Sequence, residues 1–345
     1  MTLTSEIAPK RPHWLWESRV PLGELSLFAG PEGVGKSTLT YQVVSDITRG
    51  KLPGEMFGTP RMVFVVATED AWAETIVPRL IAAGADRRLV ACIEIEVGDM
   101  IVGLDLRLDL GDIEALAQEH NPALLLLDPL MSRLGGQLDS HKDAEVRLAL
   151  EPLVAVAHRC RFAVIGIIHL NKGAATAILD RIMGSKAFTA VARSVSVVIA
   201  DPEDDTHERR LFGTPKNNLG RSVYESLAFT IESVKVETDD GDADVGRIVW
   251  GEASTLSIQD AMNTDPSADP SALGEALMWL GDYMSQIGEH GADKADVIKA
   301  ATKAGISNRT LDRAKVRLGV PHQSKGFPRT TTWYPPATAA APSSR

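Results

Sequence analysis

Gly30-Pro31-Glu32-Gly33-Val34-Gly35-Lys36-Ser37 sets three glycines, a lysine and a hydroxyl in the eight-residue spacing GxxxxGK[ST]. Each residue type has a task in holding a polyphosphate. The glycines let the backbone turn so that successive N–H groups converge on phosphate oxygens. A helix opening behind the loop, with Thr38 in its first turn, adds partial positive charge at its N-terminus. Lys36 then reaches the terminal phosphates, and Ser37 can hold Mg²⁺. The motif carries weight only between a strand and a helix. Both flanks qualify, since Glu24 to Ala29 reads as a strand and Ser37 to Ile47 as a helix. The chemistry indicated is binding of ATP with Mg²⁺.

Three further apolar runs end in polar residues, where ligands sit outside the carboxyl ends of a parallel sheet. Leu124-Leu-Leu-Leu-Asp128 ends in a carboxylate able to hold Mg²⁺ through its water shell, opposite Ser37. Val63-Phe-Val-Val-Ala-Thr-Glu69-Asp70 ends in two acids. Glu69 is the candidate for orienting or deprotonating the attacking water, and Asp70 takes its place if the register is one residue off. Phe162 to Ile168 leads into His169-Leu-Asn-Lys172. His169 either feels the terminal phosphate and signals to the segment that follows, or is a structural histidine.

These strand ends need a sheet to hold them. Strand-like runs at 25–29, 63–67, 92–97, 124–128, 162–168 and 195–200 are separated by helical segments, including 113–119 and 144–159. Such alternation indicates an α/β fold with a mostly parallel, twisted sheet covered on both faces. Arg209–Pro215, Ala228–Val236 and Arg247–Gly251 read as added antiparallel strands, and the Asp-rich run 239–244 between the last two as a solvated turn. That run has no closing Glu for an EF-hand. The domain expectation is an ATPase domain at 1–260, a linker at 261–270, a small module at 271–336 and a disordered tail at 337–345.

In the module, an amphipathic helix begins at Ala272. Asp293 caps a second helix, Lys294–Ala304, which ends at Gly305. Ser307 caps a third, running to Leu318. Leu311, Ala314 and Leu318 face inward, whereas Arg309, Arg313 and Arg317 share the outward face. Two helices joined by a tight turn, followed by a hairpin at 325–334, have the form of a winged helix. Nine Lys/Arg, Lys325 among them, lie between Lys294 and Arg329 against Asp296 and Asp312. This local surplus favours nucleic-acid phosphates, or else marks a solvated face.

The whole chain is acidic, with net charge −10 over 345 residues, which argues against a protein that coats nucleic acid over its entire surface. Cys92 and Cys160 stand far apart without metal-ligand spacing. No apolar run is long enough to span a membrane and no signal core is present, so the expected setting is the cytoplasm.

In order along the chain come Trp14-Leu-Trp16, the phosphate loop, Thr68-Glu69-Asp70, Asp128-Pro-Leu and His169-Leu-Asn-Lys172. Gly184-Ser-Lys-Ala187, Ala192-Arg193-Ser194 and Lys216-Asn-Asn218 follow. This series resembles the RepA-like branch of the RecA-fold ATPases, relatives of the ring-shaped DnaB-type replicative helicases. The resemblance implies a RecA-like core whose ATP sites form between subunits of a ring, commonly a hexamer. It implies that Lys36, Ser37, Glu69 and Asp128 act in cis, and that a basic residue reaches across from a neighbour. Lys216 stands in that place, with Arg221 and Arg193 as rivals, because the Lys-x-Arg pair of the DnaB type is absent here. The segment 171–186 would be a pore loop gripping single-stranded DNA through Lys172, Arg181 and Lys186; by sequence alone an ordinary surface loop is equally compatible.

The leading expectation is an ATP-hydrolysing, DNA-dependent helicase or helicase-like motor of a mobile-element replication system. It would work with single-stranded or duplex DNA and other replication proteins. Two alternatives stand beside it: a RecA-like recombination or repair ATPase, and a nucleotide-switched DNA-binding initiator or regulator.

Overall fold

The computed structural model describes residues 2–97, 100–134, 139–140, 142–171, 177–204, 206–220, 223–262, 270–325 and 330–335. The chain divides into two compact units, Met1–Asn263 and Thr264–Arg345.

The first unit is built on a nine-stranded sheet. Its strands are β1 (Leu25–Gly30), β2 (Val63–Ala67), β3 (Val90–Cys92), β4 (Leu124–Asp128), β5 (Ala163–His169), β6 (Ser194–Ala200), β7 (Arg210–Asn217), β8 (Val223–Thr238) and β9 (Gly241–Ser254). Their spatial order is β9-β8-β7-β6-β1-β5-β4-β2-β3. The six strands from β6 to β3 run parallel, and β7, β8 and β9 add an antiparallel edge.

The unbroken apolar runs follow from burial on both faces. In β4, Leu125 and Leu127 point into one apolar layer while Leu124 and Leu126 point into the other. Phe64 and Val66 against Val63 and Val65 repeat the alternation in β2. One layer is closed by α3 (Leu110–His120) and α4 (Asp143–Cys160), through residues such as Ile113, Leu150 and Leu153. The other is closed by α1 (Lys36–Thr48) and α2 (Val77–Ala82), through Leu39, Val43, Ile47 and Leu80. This mixed, mostly parallel sheet with helices on both faces is that of a RecA-like P-loop core.

Two expectations require correction. The run 92–97 is not one strand: β3 ends at Cys92, and Ile95–Val97 pairs instead with Met100–Val102 in a separate hairpin. The Asp-rich run is also mostly strand. Gly241 pairs with Thr238 and Asp244 with Lys235, which leaves only Asp239 and Asp240 to turn the β8–β9 hairpin. Long antiparallel pairing here overrides the low strand propensity of aspartate.

The second unit contains α7 (Pro270–Ile287), α8 (Lys294–Lys303) and α9 (Asn308–Arg317); α5 (Lys186–Val191) and α6 (Ile258–Met262) belong to the first. Asp293 accepts from the Ala295 N–H at 2.8 Å, and Ser307 accepts from the Thr310 N–H at 3.1 Å, so both helices start on side-chain caps. Gly305 and Gly319, at φ 79° and 62°, end them in the left-handed region. Leu311 and Ala314 are buried with Val297, Leu280 and Met284. A three-stranded antiparallel sheet follows, in the order β10 (Ala292–Asp293), β12 (Thr330–Trp333), β11 (His322–Lys325).

Candidate functional site

Strand register brings the sequence candidates to one edge of the sheet. Gly30 at the end of β1 pairs with His169 at the end of β5. Next to β5 lies β4, and Asp128 at its end pairs with Ala67 of β2, which leads directly into Thr68 and Glu69. Adjacent strands lie about 4.8 Å apart, so four consecutive strand ends form one polar rim.

The loop from Gly30 to Gly35 turns back over this rim. Gly33 and Gly35 take φ of 71° and 96°. Gly30 is needed for space, because a Cβ there would lie 2.6 Å from the Val198 carbonyl oxygen. The Lys36 ammonium is drawn inward and its residue is only 6% exposed. It donates to the carbonyls of Gly30 at 3.0 Å and Pro31 at 2.7 Å, and lies 3.2 Å from His169 Nδ1. Burial lowers the Lys36 pKa, opposed by the charges of Asp128, Glu32 and Glu69. His169 is also pushed down, by burial first and by Lys36 second. A neutral imidazole is therefore the form that accepts from the ammonium.

Asp128 is the most perturbed carboxylate of the rim. Burial pushes its pKa up to about 6, and the negative charges of Asp70 and Glu69 act in the same direction. A hydrogen bond from Ser37 and the charge of Lys36 pull it down, less strongly. A carboxylate that is costly to ionise, beside a hydroxyl and two more acids, is a hard-oxygen site that a divalent cation would relieve. The donor set fits Mg²⁺, which takes one or two protein oxygens and completes its shell with phosphate and water.

Glu69 and Asp70 are separated by what they touch. Asp70 Oδ2 is bound by Arg79 of α2 at 2.5 Å. Glu69 is exposed and makes no ion pair among the described residues, yet its charge acts on Lys36, Asp128 and His169 alike. Thr68 is held by Arg133, whose Nη2 donates to Thr68 Oγ1 at 3.0 Å. Sequence reading missed Arg133; its only signal is a single cation in the apolar stretch that follows Asp128.

Beyond His169 the chain is tied back on itself. The Met183 N–H donates to the His169 carbonyl at 3.0 Å, Leu170 bridges Ile182, and the Asn171 N–H donates to the Arg181 carbonyl at 2.6 Å. Nε and Nη2 of Arg181 both reach the Asn171 carbonyl at 3.3 Å. Lys186 is exposed and pairs with Asp180 at 3.5 Å. Lys172 lies outside the described residues.

The candidates for a trans-acting cation lie elsewhere. Lys216 pairs with Val195, which pairs with Leu27 of β1, so its backbone stands about 10 Å along the strands from the level of Gly30. Its ammonium donates to the carbonyls of Thr189 and of Ala192, the latter at 2.8 Å, at the C-terminal end of α5. Arg193 donates its backbone N–H to the Leu25 carbonyl and its guanidinium lies 3.9 Å from Glu24, at the same far edge. Arg221 lies outside the described residues.

In the second unit Arg317 is exposed, and Lys315 lies 4.7 Å from the Trp333 ring centre, where its charge is used within the fold. The side chains of Arg309, Arg313 and Lys325 lie outside the described residues. No helix among the described residues is long and apolar enough to cross a membrane.

Comparison with curated proteins gave no match. Residues 4–175 match the family model of the AAA domain, a span that takes in the phosphate loop, Glu69, Asp128 and His169. The rim of strand ends thus lies in the stretch of the chain that is similar to a known type of nucleotide-hydrolysing domain, which supports a P-loop ATPase of the AAA type in general.

Proposed function

We propose that this ATPase is a DNA-dependent motor of the helicase type, acting as a ring of identical subunits in DNA replication. The observation that carries this reading is the Lys36–His169 contact at 3.2 Å. It joins the phosphate loop to the segment at whose base Asn171, Arg181 and Met183 are locked together. When ATP enters, phosphate oxygens replace the Gly30 and Pro31 carbonyls and the imidazole as acceptors for Lys36. His169 is released, and a shift of its backbone is passed to the Leu170–Ile182 bridge. Nucleotide state and the grip of the segment 171–186 on single-stranded DNA are coupled in this way.

In hydrolysis Glu69 orients and deprotonates the attacking water, since Asp70 is occupied by Arg79. Ser37 and Asp128 would hold Mg²⁺, which would supply charge neutralisation on the phosphate oxygens. Lys36 stabilises charge on the transferring phosphoryl group. The second unit, with capped helices, a small antiparallel sheet and a basic surplus, serves as a winged-helix module for DNA.

A second reading is favoured by Lys216. Its ammonium is held by carbonyls of its own subunit, as suits an ATPase that switches slowly without a trans-acting cation. The chain would then be a nucleotide-switched DNA-binding initiator or regulator. Turnover measured with and without single-stranded DNA separates the two. Stimulation of several-fold supports the motor, and strand displacement is then the next assay. Flat turnover with tight, sequence-dependent duplex binding supports the switch.

A further inference from the structure

Arg133 is a buried cation that the sheet core does not need. It ends the short 3₁₀ turn Met131–Arg133, five residues beyond Asp128, and is 6% exposed. Among the described residues it has no carboxylate partner. Nη1 reaches the Leu104 carbonyl at 3.5 Å, Nη2 donates to Thr68 Oγ1 at 3.0 Å, and Nε is buried without a hydrogen-bond partner. Its backbone is fixed as well: the Arg133 N–H donates to the Leu130 carbonyl, and the Leu106 N–H donates to the Arg133 carbonyl. Gly103 makes room for the guanidinium, because a Cβ there would lie 2.8 Å from Nη1. An unpaired buried charge is costly, and an apolar side chain would pack the same space more cheaply.

What the guanidinium secures is the turn that carries Glu69. Thr68 is exposed and follows the last residue of β2. Apart from Arg133 Nη2, Thr68 has among the described residues a 3.4 Å backbone hydrogen bond to the Asp128 carbonyl. Glu69 itself makes no ion pair or hydrogen bond with a described residue that would fix it. We infer that Arg133 is a positioning residue for hydrolysis, which clamps Thr68 and thereby aims the Glu69 carboxylate at the space beside Lys36 and Asp128. Through Leu104 the same guanidinium anchors the turn to the buried Leu104–Leu106 stretch, so the clamp is referenced to the core and not to the loop. The inference rests on the reading of Glu69 as the residue that handles water.

The test is steady-state ATPase kinetics of the full chain with Thr68→Val, Arg133→Met and the double variant, beside Glu69→Gln. Misplacing a catalytic group by up to about 1 Å costs up to about 100-fold. Each single variant is expected to lose about that much kcat with KM unchanged, and the double variant to lose no more than the worse single one. Losses that multiply, or a raised KM with kcat kept, would overturn the clamp. Should Arg133→Met melt early, Thr68→Val decides alone, since it removes one surface hydroxyl and keeps the shape. An active Glu69→Gln would show that the reading of Glu69 had failed. An inactive Glu69→Gln with a fully active Thr68→Val would overturn only the clamp.

Discussion

Replacing Asp128 with Asn should make the protein more stable at pH 8 while abolishing its turnover. The carboxyl has its pKa pushed from 3.8 to about 6, chiefly by burial. A raised pKa means that the folded state binds the proton more tightly than the unfolded chain. The stability contributed by this group is therefore fully present below about pH 4, and is lost as pH rises through 6. The difference of roughly two pH units corresponds to about 3 kcal/mol carried as a penalty by the ionised group at pH 8. Asn imitates the protonated form in size and charge, and recovers most of that sum less a small misfit of its amide. For a domain of this size each kcal/mol moves the melting temperature by about 2–4 °C, so a rise of roughly 5–10 °C is expected. The assay is thermal unfolding of parent and variant without nucleotide or Mg²⁺, at pH 8 and at pH 5. The gap should be wide at pH 8 and about half as wide at pH 5. A variant melting at or below the parent at pH 8, or a gap of the same size at both values, would refute the reasoning.

Other perturbations follow from the same geometry. Gly30→Ala forces a Cβ to within 2.6 Å of the Val198 carbonyl oxygen, so it should destabilise the first unit by about 1–3 kcal/mol and weaken ATP binding, as chemical denaturation and titration with a slowly hydrolysed ATP analogue will read. Lys216→Ala removes the donor that satisfies the α5 carbonyls and should cost about 1–2 kcal/mol even in isolated subunits, measured by urea unfolding at low protein concentration. His169→Ala should leave ATP binding intact and remove any response of turnover to single-stranded DNA, because it severs Lys36 from the segment that follows. Unchanged stimulation in that variant would contradict the coupling.

The strands that carry the site were legible because each is a short apolar run closed by a polar residue. β2 and β4 match their expected ranges, β1 runs one residue longer, and β5 is shifted by one residue at both ends. Which strands are neighbours was not legible from composition. The Gly30–His169 and Ala67–Asp128 pairings arise from sheet order, and the Lys36–His169 contact exists only through them. The run 92–97 misled because a short apolar segment does not reveal which sheet it joins. The acids at 239–244 misled in the other direction, since a solvated edge tolerates aspartate in a strand. Arg133 was invisible because a lone arginine near a turn reads as surface, and its burial depends on the space left by Gly103, thirty residues away.

The most direct test of the account compares ATP binding and ATP hydrolysis in the parent, Lys36→Ala and Glu69→Gln. Glu69→Gln should bind ATP as the parent does and hydrolyse it about 10²–10⁴ times more slowly, whereas Lys36→Ala should lose both binding and turnover. Parent-like hydrolysis in either variant would contradict the assignment of these strand ends as the site of the reaction.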